Sequence, residues 1–199
     1  MRTTLMPAVS CFLLSLLVMA PNQAAATLMF SAALDGAQEV PLPTGSAATG
    51  MALLELNDAQ TRLEISIQLN GLDLDGLQTA SPDDDVVGLH IHRGGFGVNG
   101  PVVFGFIGPN NDLNADLLID PLAGLVTSAW DLNEGNATTL AAELPSLFSE
   151  GLYFNVHTPA FPAGEIRGQI LQVPEPAMLG LMGIGLAGVV LARCRKQRF

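Results

Sequence analysis

Residues 63 to 69 read LEISIQL. Leu63, Ile65, Ile67 and Leu69 alternate with Glu64, Ser66 and Gln68, and a period of two places the four apolar side chains on one face of an extended strand. A helix would need the apolar residues to recur every three or four positions, so the stretch predicts a half-buried antiparallel strand.

The same period recurs outward in both directions. It predicts further strands at 28–34 (LMFSAAL), 50–56 (GMALLEL), 86–92 (VVGLHIH), 101–106 (PVVFGF), 124–130 (GLVTSAW), 151–157 (GLYFNVH) and 164–172 (GEIRGQILQ). Turn residues interrupt the pattern every ten or so positions, which is the spacing of an all-β antiparallel sandwich or barrel of about eight strands. One short helix is predicted at 136–149, with Asn136 capping its first turn and Pro145 shortening or bending it. Long loops rich in Asp, Gly and Pro fill 70–85 and 107–121.

The two ends of the 199-residue chain have a different composition. Residues 1–26 combine a cationic start at Arg2, an apolar run and the small-residue exit Ala24-Ala25-Ala26, the three parts of a secretory signal peptide. Residues 177–192 (AMLGLMGIGLAGVVLA) are apolar or small and precede the basic tail RCRKQR, which predicts a short transmembrane helix with its tail in the cytoplasm. Between them, 27–172 is the size of one domain. That domain holds 18 acidic and three basic residues, a formal charge of −15. Such a surface repels a phosphate backbone and argues against nucleic acid as a partner. Cys11 and Cys194 lie outside the domain, so packing rather than a disulfide must hold it.

Chemistry concentrates in GLHIHRGGFGVNGPVV, residues 88–103. His90 and His92 share a strand face, with Leu89 and Ile91 on the other. The same rule places Tyr153, Asn155 and His157 together, opposite Leu152, Phe154 and Val156. If the two strands are neighbours, three imidazoles converge and would suit Zn²⁺ or Cu²⁺ with a fourth position open. The competing reading makes the histidines hydrogen-bonded pins for adjoining loops.

Asp73, Asp75, Asp83, Asp84 and Asp85 supply carboxylate for Ca²⁺, but their spacing does not follow an EF-hand, and a solvated acidic loop is the plainer reading. GGFGVNG lacks the Lys-Ser/Thr of a phosphate loop and reads as tight turns. Glu165 and Arg167, on one face with Gln169, read as a solvated charge pair. No pattern of Ser-His-Asp or Cys-His catalysis is suggested.

LDGAQEVP (34–41), ATG (48–50), GLHIHRGGFGVNGPVV, the lone Trp130 and GLYFNVHTPAFPAGEIRGQI (151–170) together resemble the CHRD domain, named for its repeats in chordin. The resemblance implies a β-sandwich or barrel. In chordin the repeats belong to an extracellular antagonist of a growth factor. G-L-H-I-H before a glycine-rich loop is also similar to the copper strand of copper/zinc superoxide dismutases, but that family uses more histidines and a disulfide that this domain lacks, so dismutation is not the expected activity.

Pro174-Glu175-Pro176, residues 177–192 and the RCRKQR tail resemble a PEP-CTERM sorting signal, giving a third segment, 173–199. That resemblance implies recognition by an exosortase in a Gram-negative-type envelope, a transient membrane anchor, and delivery to the cell surface or an exopolysaccharide-rich extracellular matrix.

The leading expectation is therefore an exported, non-catalytic domain that binds a partner, such as exopolysaccharide or a surface protein. The alternative is a metal-binding domain, with possible redox activity, using His90, His92 and His157. A third reading is a purely structural matrix component.

Overall fold

A computed structural model describes residues 27–174. Both the predicted signal peptide and the predicted transmembrane helix lie outside the described residues. Among the described residues, no helix is long and apolar enough to cross a membrane.

Ten strands form: β1 (Leu28–Asp35), β2 (Thr49–Leu56), β3 (Arg62–Asn70), β4 (Gly88–Arg93), β5 (Val102–Ile107), β6 (Leu118–Asp120), β7 (Leu125–Asp131), β8 (Leu152–His157), β9 (Ile166–Gln169) and β10 (Leu171–Gln172). Among the described residues one α-helix, α1 (Leu140–Phe148), precedes β8. The strands make one antiparallel sheet in the order β5-β4-β8-β9-β1-β2-β3-β7-β6, with β10 also on β1.

The all-β antiparallel class holds. Of the expected sandwich or barrel, the structure gives neither a pair of sheets nor a closed barrel but one curled sheet, a half-barrel, whose ladder runs unbroken from β5 to β6. β1 pairs along its length with β2 on one side and with β9 and β10 on the other. Its partners there, Phe30 with Gln172 and Asp35 with Arg167, keep one register. Thus β9 and β10 are a single line interrupted at Ile170, whose amide turns away to Leu152.

The alternation in LEISIQL is realised as read. Leu63, Ile65, Ile67 and Leu69 are buried in the core with Phe30, Leu34, Leu54, Leu56 and Val126. Curling brings the far ends of the sheet together across this core: Phe104 of β5 stacks on Trp130 of β7 with ring centroids 5.0 Å apart. The Trp130 indole N–H donates to the Glu134 carbonyl at 2.6 Å, so its polar edge is satisfied while the ring is fully buried.

Two expected boundaries move for identifiable reasons. Asn136 does not cap the helix, because its backbone N–H donates to Val103 O and its side-chain amide to Val102 O along the edge of β5. Thr139 caps instead, its side chain accepting from the Ala142 N–H. Strand β6 falls inside the expected loop 107–121. All three of its residues are exposed, so no alternation of burial marks it.

Candidate metal centre

Strand β4 lies between β5 and β8, and its register with β8 sets Gly88 opposite His157, His90 opposite Asn155 and His92 opposite Tyr153. The expected faces follow. Leu89, Ile91, Leu152, Phe154 and Val156 point into the core, and the histidines stand together on the outer face. Ring centroids are 5.1 Å apart for His90 and His157, 5.6 Å for His90 and His92, and 6.1 Å for His92 and His157.

Each ring is fixed by a backbone carbonyl. His90 Nε2 donates to Gly108 O at 2.8 Å, His92 Nδ1 to Gly100 O at 2.9 Å and His157 Nδ1 to Pro162 O at 3.2 Å. A carbonyl only accepts, so the nitrogen facing it carries the proton, and in a neutral imidazole the other nitrogen then holds a lone pair. Those other nitrogens, His90 Nδ1, His92 Nε2 and His157 Nε2, are all buried without a hydrogen-bond partner. One nitrogen from each ring lies within 4.8 Å of those of the other two.

Three converging lone pairs with no donor among them are an unfavourable arrangement that a cation or a hydrogen-bond donor placed between them relieves. Burial pushes the pKa of all three rings down. At His92 burial, aided by His90, His157 and Arg167 and opposed by the Gly100 carbonyl, lowers it to about 4. The rings are therefore neutral at pH 7, the form that ligates metal.

Neutral imidazoles oriented by carbonyls through their second nitrogen fit Zn²⁺ or Cu²⁺ and do not fit Ca²⁺, which takes oxygen ligands. A tetrahedron with bonds of about 2.0 Å has edges of about 3.3 Å, so the three nitrogens, within 4.8 Å of one another here, draw closer to hold an ion.

Glycines make the approach of these rings possible. A Cβ on Gly88 would lie 2.9 Å from His90 Cε1 and 3.1 Å from His157 Cδ2. A Cβ on Gly100 would lie 1.6 Å from the Arg93 carbonyl oxygen, so the residue that orients His92 must be glycine.

Around the histidines the outer face is not solvated, contrary to expectation. Glu165 and Arg167 do not form an exposed pair. Glu165 is buried and accepts from Ser46 Oγ at 2.6 Å and from Thr158 Oγ1 at 2.5 Å. Arg167 is 1% exposed, and its guanidinium carbon lies 3.4 Å from the centroid of the Tyr153 ring. Tyr153 in turn stacks on His92, with centroids 5.0 Å apart and planes 15° apart.

Glu39 escaped the sequence reading. It is 4% exposed, and burial raises its pKa against the pull of Arg167, the Val40 amide and Asn155. Its position depends on how the 36–46 loop folds over the sheet, which no local pattern encodes.

The acidic loop is likewise more ordered than a solvated one. Asp73 is buried, and its carboxylate accepts from the backbone N–H groups of Asp75, Gly76, Gln78 and Thr79. Burial acts to raise its pKa, but these amides prevail and hold it well below the usual carboxylate range.

The fold and this site define a curled antiparallel β-domain that presents three converging histidines, His90 buried and His92 and His157 half-buried, on its outer face beneath loops. The chain belongs to the CHRD domain family, whose model matches residues 30–170. A PEP-CTERM protein-sorting motif follows at residues 172–196. That motif implies processing by an exosortase-type enzyme, with export and surface sorting in a Gram-negative-type envelope. No curated protein and no solved structure matches the chain.

Proposed function

We propose that this protein is an exosortase-sorted surface protein whose CHRD domain binds a transition-metal ion, Zn²⁺ or Cu²⁺, through His90 Nδ1, His92 Nε2 and His157 Nε2. The observation that supports this reading is the set of three buried, unpartnered nitrogens whose opposite ring nitrogens are each bonded to a carbonyl. Loop pinning alone accounts for the bonded nitrogens and leaves the other three without a purpose. A bound ion satisfies all three at once.

The role proposed is binding rather than turnover. The other polar groups of this face are engaged in holding loops: the Gln169 amide donates to the carbonyls of Gly94, Glu150 and Leu152, and Arg167 donates to the 95–99 turn. In this reading the sorting motif delivers a metal-holding domain to the cell surface or its exopolysaccharide matrix, and the ion is its cargo or a bridge to a surface partner.

Titration of the full-length protein with Zn²⁺ and Cu²⁺, beside His92→Ala and His157→Ala variants verified as folded by circular dichroism, tests the proposal. One equivalent bound by the wild type, with affinity greatly weakened in both variants, is expected. A folded wild type that takes up neither ion overturns it.

A further inference from the structure

Arg167 raises a question that the metal reading does not itself answer. Burying a guanidinium is costly unless its charge is compensated. Among the described residues no carboxylate lies within ion-pair distance of it, whereas Arg62 and Arg93 both have such partners. Beyond the attraction of the more distant Glu39 carboxylate, its charge rests on two direct supports, the Tyr153 ring and three oxygens of a single turn: Nη1 donates to Asn99 Oδ1, and Nη2 to Gly95 O and Val98 O, each at 3.0 Å.

Both supports lead to the same histidine. The turn that Arg167 grips ends at Gly100, whose carbonyl accepts from His92 Nδ1. The Tyr153 ring beneath the guanidinium lies flat against the His92 ring, and the Gly100 N–H donates to the Tyr153 hydroxyl at 3.2 Å. Turn, tyrosine and histidine thus form a closed unit with the guanidinium on its far side. A fork of donors in fixed geometry suits this task, because it holds several oxygens of a turn at once.

We propose that Arg167 is a positioning residue for the metal centre: it holds the 95–100 turn and the Tyr153 ring so that His92 presents Nε2, and not Nδ1, to the ion. This rests on the metal reading above. It assigns to the arginine of GEIRGQI a role acting wholly through His92, with no contact to the ion.

The experiment is a double-mutant cycle in the full-length protein, combining Arg167→Met with His92→Ala and reading Cu²⁺ affinity by competition titration. A second readout is the ¹⁵N shifts of the His92 ring in the metal-free protein. In the wild-type background Arg167→Met is expected to weaken Cu²⁺ binding 10- to 100-fold, the usual scale for losing an outer-shell partner. In the His92→Ala background it should cost little more, and the His92 shifts should move from the Nδ1–H tautomer toward a mixture.

Equal losses in both backgrounds, or an unchanged tautomer, would overturn the assignment while leaving the metal reading in place. Absence of Cu²⁺ and Zn²⁺ binding in the wild type would remove both. Should Arg167→Met fail to fold, Arg167→Lys keeps the charge but not the fork and decides the matter alone: intermediate affinity with a mixed tautomer is expected, and wild-type affinity with an unchanged tautomer refutes the role.

Discussion

His90 and His157 face one another across the β4–β8 ladder with ring centroids 5.1 Å apart, each with one nitrogen on a carbonyl and the other buried and unpartnered. Two lone pairs brought together in this way resist protonation, since a proton taken by either ring puts a charge where burial disfavours it. The pKa of each is accordingly lowered, by burial first and at His157 by His90 as well.

The pH dependence of metal binding follows. Protons and metal compete for the same nitrogens, and ordinary histidines would begin to lose the metal as pH falls through about 6.5. Here all three pKa values are lowered, that of His92 to about 4, so affinity should stay level through 6.5 and fall only at lower pH. Zn²⁺ or Cu²⁺ titrations between pH 4 and pH 8 check this, and a midpoint near 6.5 would contradict it.

Stability of the metal-free protein should show the complementary slope. A depressed folded-state pKa means that the unfolded chain binds more protons between about 6.5 and about 4, so stability is full above that window and declines as pH falls through it. Urea unfolding of the wild type and His92→Gln across that range measures the difference, which should shrink as pH falls.

Gly88 and Gly100 predict opposite failures. Gly88→Ala presses a methyl against two ring edges that can rotate away, so the fold should survive and Cu²⁺ affinity should drop at least tenfold. Gly100→Ala drives a methyl into the Arg93 carbonyl, which is backbone and cannot yield, so the thermal midpoint itself should fall steeply. Differential scanning calorimetry alongside metal titration separates the two.

These contrasts show which features were legible in the sequence. Period-two alternation was enough to place the strand face of LEISIQL and to put His90, His92, Tyr153 and His157 on the outer side, because side-chain direction along a strand is local geometry. Neighbouring of β1 with β9 and β10, which decides between a two-sheet sandwich and one curled sheet, joins residues more than 130 positions apart and leaves no local trace. The outward residues Glu165, Arg167 and Gln169 read as solvated because alternation treats the outer face as wet. Here loops cover it, and the same three residues are buried. The carbonyls that set the histidine tautomers belong to those loops and could not be read before they were placed.

Asp73 supplies a prediction about calcium. Its carboxylate is occupied by four backbone amides, so it organises the 70–85 loop itself instead of waiting for an ion. Millimolar Ca²⁺ should leave the thermal midpoint unchanged, whereas Asp73→Ala should lower it, and Asp73→Asn less so, since the amide oxygen keeps part of the acceptor role. Because these amides hold its pKa below the usual range, the Asp73 contribution should persist in mild acid and be lost only below the ordinary carboxylate range.

The last prediction concerns how the half-barrel stays curled. Phe104 and Trp130 come from opposite ends of the strand order, and their stack at 5.0 Å joins those ends across the core without a hydrogen-bonded ladder between them. Phe104→Ala should therefore cost more than a buried phenylalanine within one continuous ladder, at or above the upper part of the usual range of about 3–5 kcal/mol. Trp130 is the chain's single tryptophan and reports on this directly. Wild-type emission should be blue-shifted, as befits a fully buried indole, and should move to the red in the native state of Phe104→Ala while far-ultraviolet circular dichroism stays β-rich. An unchanged spectrum in the variant would mean that the ladder from β4 through β7 sets the curl unaided and that the stack merely fills the space it encloses.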